Sequence, residues 1–177
     1  NLVNQTNILC FFDDSDEEVS PISNLKMWSH YGKSHKGCCI VLDKEKTVSL
    51  FKESVKECIS DYGRVEYNNL KNYIHKYWSI FEREEYKDCV FKELFHNLFF
   101  NKATYYSGEN EFRFAVNNGN EIFSFEVIPL VVKVVVAENV KQIDLESIVS
   151  LSKLLRVEVG KMFISDDKLE YWQVFAP

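Results

Sequence analysis

The chain has 177 residues, 46% of them apolar and 15% aromatic, with only 6 Gly and 3 Pro. That composition excludes a disordered or linker-rich chain and predicts a single domain, residues 1–177, around an aromatic-heavy core. A formal charge of −6 supplies no basic field for a phosphate backbone, which argues against general nucleic-acid binding. No apolar run reaches the roughly 18 residues of a membrane span.

In chain order, Ile8–Phe12 reads as a strand, followed by an acidic run, Asp13–Glu18, expected to be a solvated loop. Leu25–Tyr31 reads as a short helical turn ending at Gly32, and Cys38–Leu42 as a buried central strand. Lys44–Ile59 carries Val48, Phe51, Val55 and Ile59 at helical spacing, and Tyr62–Tyr67 is a short strand. Leu70, Tyr73, Ile74, Tyr77, Trp78 and Phe81 predict the clearest helix of the chain, and a second helical run extends from Tyr86 to Phe99. Phe112–Val116 and Ile122–Glu126, joined by Asn117-Asn-Gly-Asn120, predict a hairpin. Val131–Val136 is expected to be a strand covered on both faces. Asp144 is placed to cap a helix, and Val157–Ile164 and Tyr171–Phe175 read as closing strands around a turn at Ser165–Lys168. These elements predict an α+β fold, a mixed, mainly antiparallel twisted sheet with inserted helices.

Cys10, Cys38, Cys39, Cys58 and Cys89 are odd in number and lack CxxC spacing, which predicts reduced thiols in a cytoplasmic protein. The sequence begins at Asn1 without an initiator Met, so an upstream segment is expected.

Two polar clusters stand out. The first is Trp28-Ser29-His30-Tyr31 with His35 and Lys36, at the mouth of a strand, where scaffolds hold binding groups. Trp28 and Tyr31 lie three apart and share a helical face. Together they form either a core plug or one wall of a ligand pocket, with His30 and His35 as contacts to phosphate or ribose. His30, His35, Cys38 and Cys39 match no usual closed zinc site, so no metal is expected. His75 and His96 are expected to be solvent-facing or capped. The second cluster is Glu109-Asn-Glu111-Phe-Arg113. Alternation puts both carboxylates and the guanidinium on one strand face, and a cation is needed to keep two such acids ionised. It reads either as an ion pair on a sheet face or as a catalytic carboxylate with its supports. A shared site requires the two clusters to converge on one cleft.

Met27-Trp-Ser-His-Tyr31 followed by His35-Lys-Gly37 and an apolar strand, with Lys102, Tyr106, Glu109, Glu111 and Arg113 downstream, resembles a bacterial domain-of-unknown-function family. That family's signatures read W-S-H-Y…H-K-G and K…W…E-x-E-x-R. Tyr106 replaces its usual Trp, and its upstream aromatic-rich strand and N-D-P-x-E-like turn are missing here. The resemblance implies a toxin-like or sensing role, because some members occur in phage-defence contexts. By a further analogy, mono-ADP-ribosyltransferases match Ser29, His30 and Tyr31 to their middle element and Glu111 to their catalytic glutamate, with their first motif upstream of Asn1. The expected enzyme therefore has NAD as substrate. Glu111 stabilises the oxocarbenium-like state, Glu109 and Arg113 orient it, and Trp28, Ser29, His30, Tyr31, His35 and Lys36 contact the nucleotide. The alternatives are a non-catalytic module for a nucleotide-like ligand or partner protein, and a purely structural role for both motifs.

Overall fold

A computed structural model of the protein describes residues 5–14, 20, 22–68, 87–119, 121–165 and 168–177. Its elements begin with β1 (Thr6–Phe12), α1 (Leu25–His30), β2 (Cys38–Leu42), α2 (Lys44–Ser54), β3 (Ile59–Arg64) and β4 (Glu66–Asn68). They continue with α3 (Lys87–Phe99), β5 (Asn101–Ala103), a 3-10 segment Thr104–Glu109, β6 (Glu111–Asn117) and β7 (Val131–Val136). α4 (Gln142–Leu155), β8 (Glu158–Ser165) and β9 (Lys168–Phe175) complete the chain. The fold is α+β with mixed, mostly antiparallel sheets, and no closed barrel occurs among the described residues. No helix among them is long and apolar enough to cross a membrane. Two compact units result, residues 1–13 with 52–124 and residues 14–51 with 125–177.

The first unit holds an antiparallel sheet of order β1-β6-β3 and the small parallel pair β4-β5. Cys10 and Gly63 both pair with Arg113, Ile8 and Asp61 both pair with Ala115, and Phe12 pairs with Glu111. Directly paired residues share a face, so Cys10, Asp61, Glu111, Arg113 and Ala115 line the same side. Ala115 packs there with Phe95, Phe99 and Phe100. The other face stacks aromatics, Phe11 edge-on to Phe114 at 5.6 Å and Tyr62 over Phe114 at 6.1 Å.

Several expectations change here. Ile122–Glu126 forms no strand, because both edges of β6 are already taken by β1 and β3 and a hairpin return has no ladder left. α2 stops at Ser54 rather than Ile59, since Ile59 is drawn into β3 opposite Asn117. Asp13, expected in solvent, is buried and holds the Arg64 Nε at 2.6 Å. The expected helix Leu70–Phe81 with His75, most of the acidic run, Asn120 and the centre of the Ser165–Lys168 turn lie outside the described residues.

In the second unit the sheet order is β2-β7-β8-β9, with β7 and β8 parallel and the other pairs antiparallel. Among the described residues β2 is therefore an edge strand and not a central one; Cys38 and Ile40 are exposed. β7 is one of two inner strands, yet only its Val135 and Val136 are fully buried while Val132 faces solvent. Asp144 lies in the first turn of α4 instead of capping it, and its N–H donates to the Lys141 carbonyl at 3.0 Å. A carboxylate there still favours the helix dipole.

α1 is capped by Asn24, whose side chain accepts from the Lys26 and Met27 amides. It delivers Trp28 into a cluster with Val135, Ala137 and Met162, flanked by Ile22, Cys39 and Val41. Gly32 closes that packing. A Cβ on Gly32 would sit 2.6 Å from the Trp28 carbonyl oxygen and 2.8 Å from its ring, and the carbonyl cannot swing aside. Gly32→Ala is expected to cost about 1–3 kcal/mol by overpacking, read as a lower urea midpoint with an unchanged slope.

Candidate functional site

The Trp-Ser-His-Tyr segment splits its residues between two roles. Trp28 is only 4% exposed and its indole N–H donates to the Ile22 carbonyl at 2.8 Å. Tyr31, expected to share its face, is 68% exposed. Tyr31 is the C-cap of the short helix, not part of its body, so the i, i+3 spacing does not align the two rings. Ser29, His30 and Lys36 are exposed and His35 is half-buried.

The intervening turn is left-handed. Lys33, Ser34 and His35 all have positive φ, at 51°, 54° and 62°, a conformation that costs a non-glycine residue about 1–2 kcal/mol. Hydrogen bonds offset the strain. The Ser34 and His35 amides donate to the Ser29 and Trp28 carbonyls, those of Lys36 and Gly37 to the Gly32 carbonyl. The Asn139 amide donates to the His35 carbonyl and the Ala137 amide to the Gly37 carbonyl, tying the turn to the chain just beyond β7. The end of α1 and the turn therefore leave Ser29, His30 and Lys36 exposed on a hydrogen-bonded base.

Glu109, Glu111 and Arg113 do come together, by a route that differs from simple strand alternation. Glu109 ends the 3-10 segment, and Asn110 turns the chain with left-handed φ 40° and ψ 54° before Glu111 opens β6. Asn110 is held by Asp13, whose N–H donates to the Asn110 carbonyl and whose carbonyl accepts from the Asn110 side-chain amide. Both carboxylates then reach Lys102. Its Nζ pairs closely with Glu109 and stands 3.4 Å from Glu111 Oε2. Arg113 Nη2 donates to the same Glu111 oxygen at 2.6 Å, and its Nη1 donates to the Phe99 carbonyl at the end of α3, also at 2.6 Å. The cation bridging the two acids is thus Lys102, while Arg113 serves Glu111 alone. Glu111 is also fixed through its backbone, its N–H donating to the Tyr67 hydroxyl at 2.8 Å.

Charge states follow from this packing. Burial works to raise the Glu111 carboxyl, but the Arg113 guanidinium, the Cys10 thiol and Lys102 together hold it below its usual range. Burial likewise opposes the Lys102 charge, and hydrogen bonding to Glu109 with the nearby Glu111 outweighs it, leaving the ammonium above its usual range. Burial and the hydrogen bond to Glu111 push the Cys10 thiol up to about 11, so it is a proton donor to the carboxylate and not a nucleophile at neutral pH. At the rim, the Tyr106 ring lies 4.8 Å from Lys102 Nζ and edge-on to the exposed Tyr105. The cluster can hold a fixed negative charge beside an aromatic surface.

Cys10, Tyr67 and the Phe99 carbonyl escaped sequence reasoning. They reach Glu111 and Arg113 only through the β1–β6 pairing, β4 and the end of α3, and no local spacing marks them. His96, expected to be solvent-facing or capped, contacts Asp61 Oδ2 through Nδ1 at 2.7 Å and stacks on Phe100. Among the described residues, no group of three or more His, Cys, Asp or Glu is placed to hold a metal ion. His30 belongs to the second unit and Glu111 to the first.

No curated protein and no solved structure matches the chain. Residues 27–114, which run through both polar clusters, match the model of a domain-of-unknown-function family described as protein of unknown function (DUF2971).

Proposed function

We propose that the protein is an NAD-cleaving enzyme of the mono-ADP-ribosyltransferase type with a toxin-like role in phage defence, and that Glu111 is its catalytic carboxylate. In this reaction the bond between nicotinamide and ribose C1 breaks, and its electron pair leaves with nicotinamide. A water or target nucleophile then adds to C1 and gives up a proton. Positive charge develops on the ribose between those events, so an ionised acid already fixed in place lowers the barrier without reorganising. The observation that carries the reading is Glu111 itself, kept as a carboxylate by Arg113 and Lys102 and anchored at its own amide by Tyr67. Arg113 and Glu109 act as positioning residues, Glu109 by drawing Lys102 partly away from Glu111. Tyr105 and Tyr106 offer flat surfaces for a nicotinamide or adenine ring.

One observation favours a second reading, a non-catalytic module for a nucleotide-like ligand or a partner protein. Two acids and two bases in the cluster cancel, which leaves recognition to the aromatic rim and not to net charge. Nicotinamide release from NAD separates the readings. On the enzymatic one, Glu111→Gln is expected to cut turnover at least about hundredfold at a temperature where the variant is still folded, its melting temperature being lowered because Arg113 loses its buried partner. Wild-type protein that releases no nicotinamide, or a Glu111→Gln variant as fast as wild type, overturns it.

A further inference from the structure

α4 is apolar on two sides. Leu145, Ile148 and Val149 are half-buried and Ser152 is buried, which defines the side facing its own unit. On the other side Ile143, Ser147, Leu151 and Leu154 follow at i, i+4, i+8 and i+11, one stripe on a helix of 3.6 residues per turn. Ile143, Leu151, Leu154 and Leu155 are all exposed, Leu154 to 81%. Ser147 and Ser150 do not make this side polar. Each hydroxyl donates back to the carbonyl four residues earlier, Ile143 and Glu146, at 2.8 Å, so both can be covered at little cost. Four large apolar side chains on 14 residues, about 21 Å of helix, form a patch of the kind that marks an interaction surface.

We infer that this stripe is the surface on which a second copy of the chain docks, α4 against α4 in antiparallel sense. The stripe is self-complementary in shape and in charge. A two-fold axis near Val149 sets Ile143 of one copy beside Leu154 of the other and Ser147 beside Leu151, so small meets large at the crossing. The same operation brings Glu146, on the flank of the stripe, opposite Lys153 of the second copy. Both are exposed; Glu146 accepts from the Gln142 side chain of its own helix at 2.9 Å, and Lys153 Nζ lies 5.8 Å from the Phe175 ring centroid. A parallel two-fold pairing puts this flank of the two copies on opposite sides of the seam, so Glu146 and Lys153 of different copies do not meet. A two-fold interface of this kind uses one patch twice and closes on itself.

Sedimentation or light scattering of the 177-residue chain between about 5 and about 200 µM tests this, the range in which a contact smaller than the standard interface dissociates. Wild type is expected to pass from monomer to dimer. Leu154→Glu and Leu151→Glu, both at exposed positions, are expected to raise the dissociation constant more than about tenfold with unchanged melting temperature. Glu146→Lys is expected to raise it about fivefold at low salt, and adding Lys153→Glu in the same chain to restore it. Monomer at every concentration, or a dimer indifferent to Leu154→Glu, overturns the proposal. A dimer that the double charge reversal fails to rebuild overturns the antiparallel arrangement. Neither result bears on NAD cleavage, which is read separately.

Discussion

Trp28→Ala is expected to lower the free energy of unfolding by about 3–5 kcal/mol, the range for deleting a large aromatic from a packed core. The indole contacts Val135, Ala137 and Met162 and gives its only N–H to the Ile22 carbonyl. Removal leaves a cavity and an unsatisfied carbonyl, and α1 has no other large buried residue to hold it to the sheet. Urea unfolding measures the loss. Trp28→Phe, which refills most of the volume but not the hydrogen bond, is expected to recover more than half of it. A Trp28→Ala variant as stable as wild type contradicts the core assignment and returns Trp28 to the role of a pocket wall.

Arg113→Ala is expected to cost about 3 kcal/mol at neutral pH, the lower end of the range for removing one partner of a buried ion pair. Glu111 and Arg113 side chains are 12% and 13% exposed, and the truncation also frees the Phe99 carbonyl. The pH dependence carries the sign. Glu111 has a carboxyl held below the ordinary value of 4.5 in the folded protein, so the unfolded chain binds its proton more readily. Its contribution to stability is complete above that ordinary value and fades as the pH falls through the depressed folded value. Without Arg113 the main pull on the carboxyl is burial, which acts in the opposite direction. Wild type is therefore expected to lose more stability than Arg113→Ala between neutral and acid pH, and the two curves to approach each other at low pH. Curves that stay parallel across the acid range mean that Arg113 does not hold the Glu111 charge.

Short-range pattern was enough for the fold class and for most element positions. The apolar alternation of β6, the valine run of β7 and the spacing of α3 each carry their own periodicity, which survives any tertiary arrangement. Where the reading failed, a distant partner had the deciding influence. Ile122–Glu126 is as strand-like as β3 by composition, but β1 and β3 occupy both edges of β6. Ile59 suits the helix before it until pairing with Asn117 offers its backbone a ladder. Glu109, Glu111 and Arg113 were legible as a cluster because Lys102 and the acids lie within one short stretch of chain, and their geometry is largely local.

By itself, the amino-acid order determined an α+β protein with a Glu-Glu-Arg group at a strand start and a tryptophan-histidine turn before another strand. Periodicity, charge and turn chemistry are properties of neighbours along the chain, so they can be read there. Tertiary structure alone decided that Trp28 is core and Tyr31 surface, and that Lys102 bridges the acids. It also decided that Cys10, Tyr67 and the end of α3 complete the setting of Glu111, and that α4 keeps a second apolar side exposed. Each of those depends on which distant segments pair and what remains uncovered afterwards, a choice among non-local contacts that no local spacing encodes.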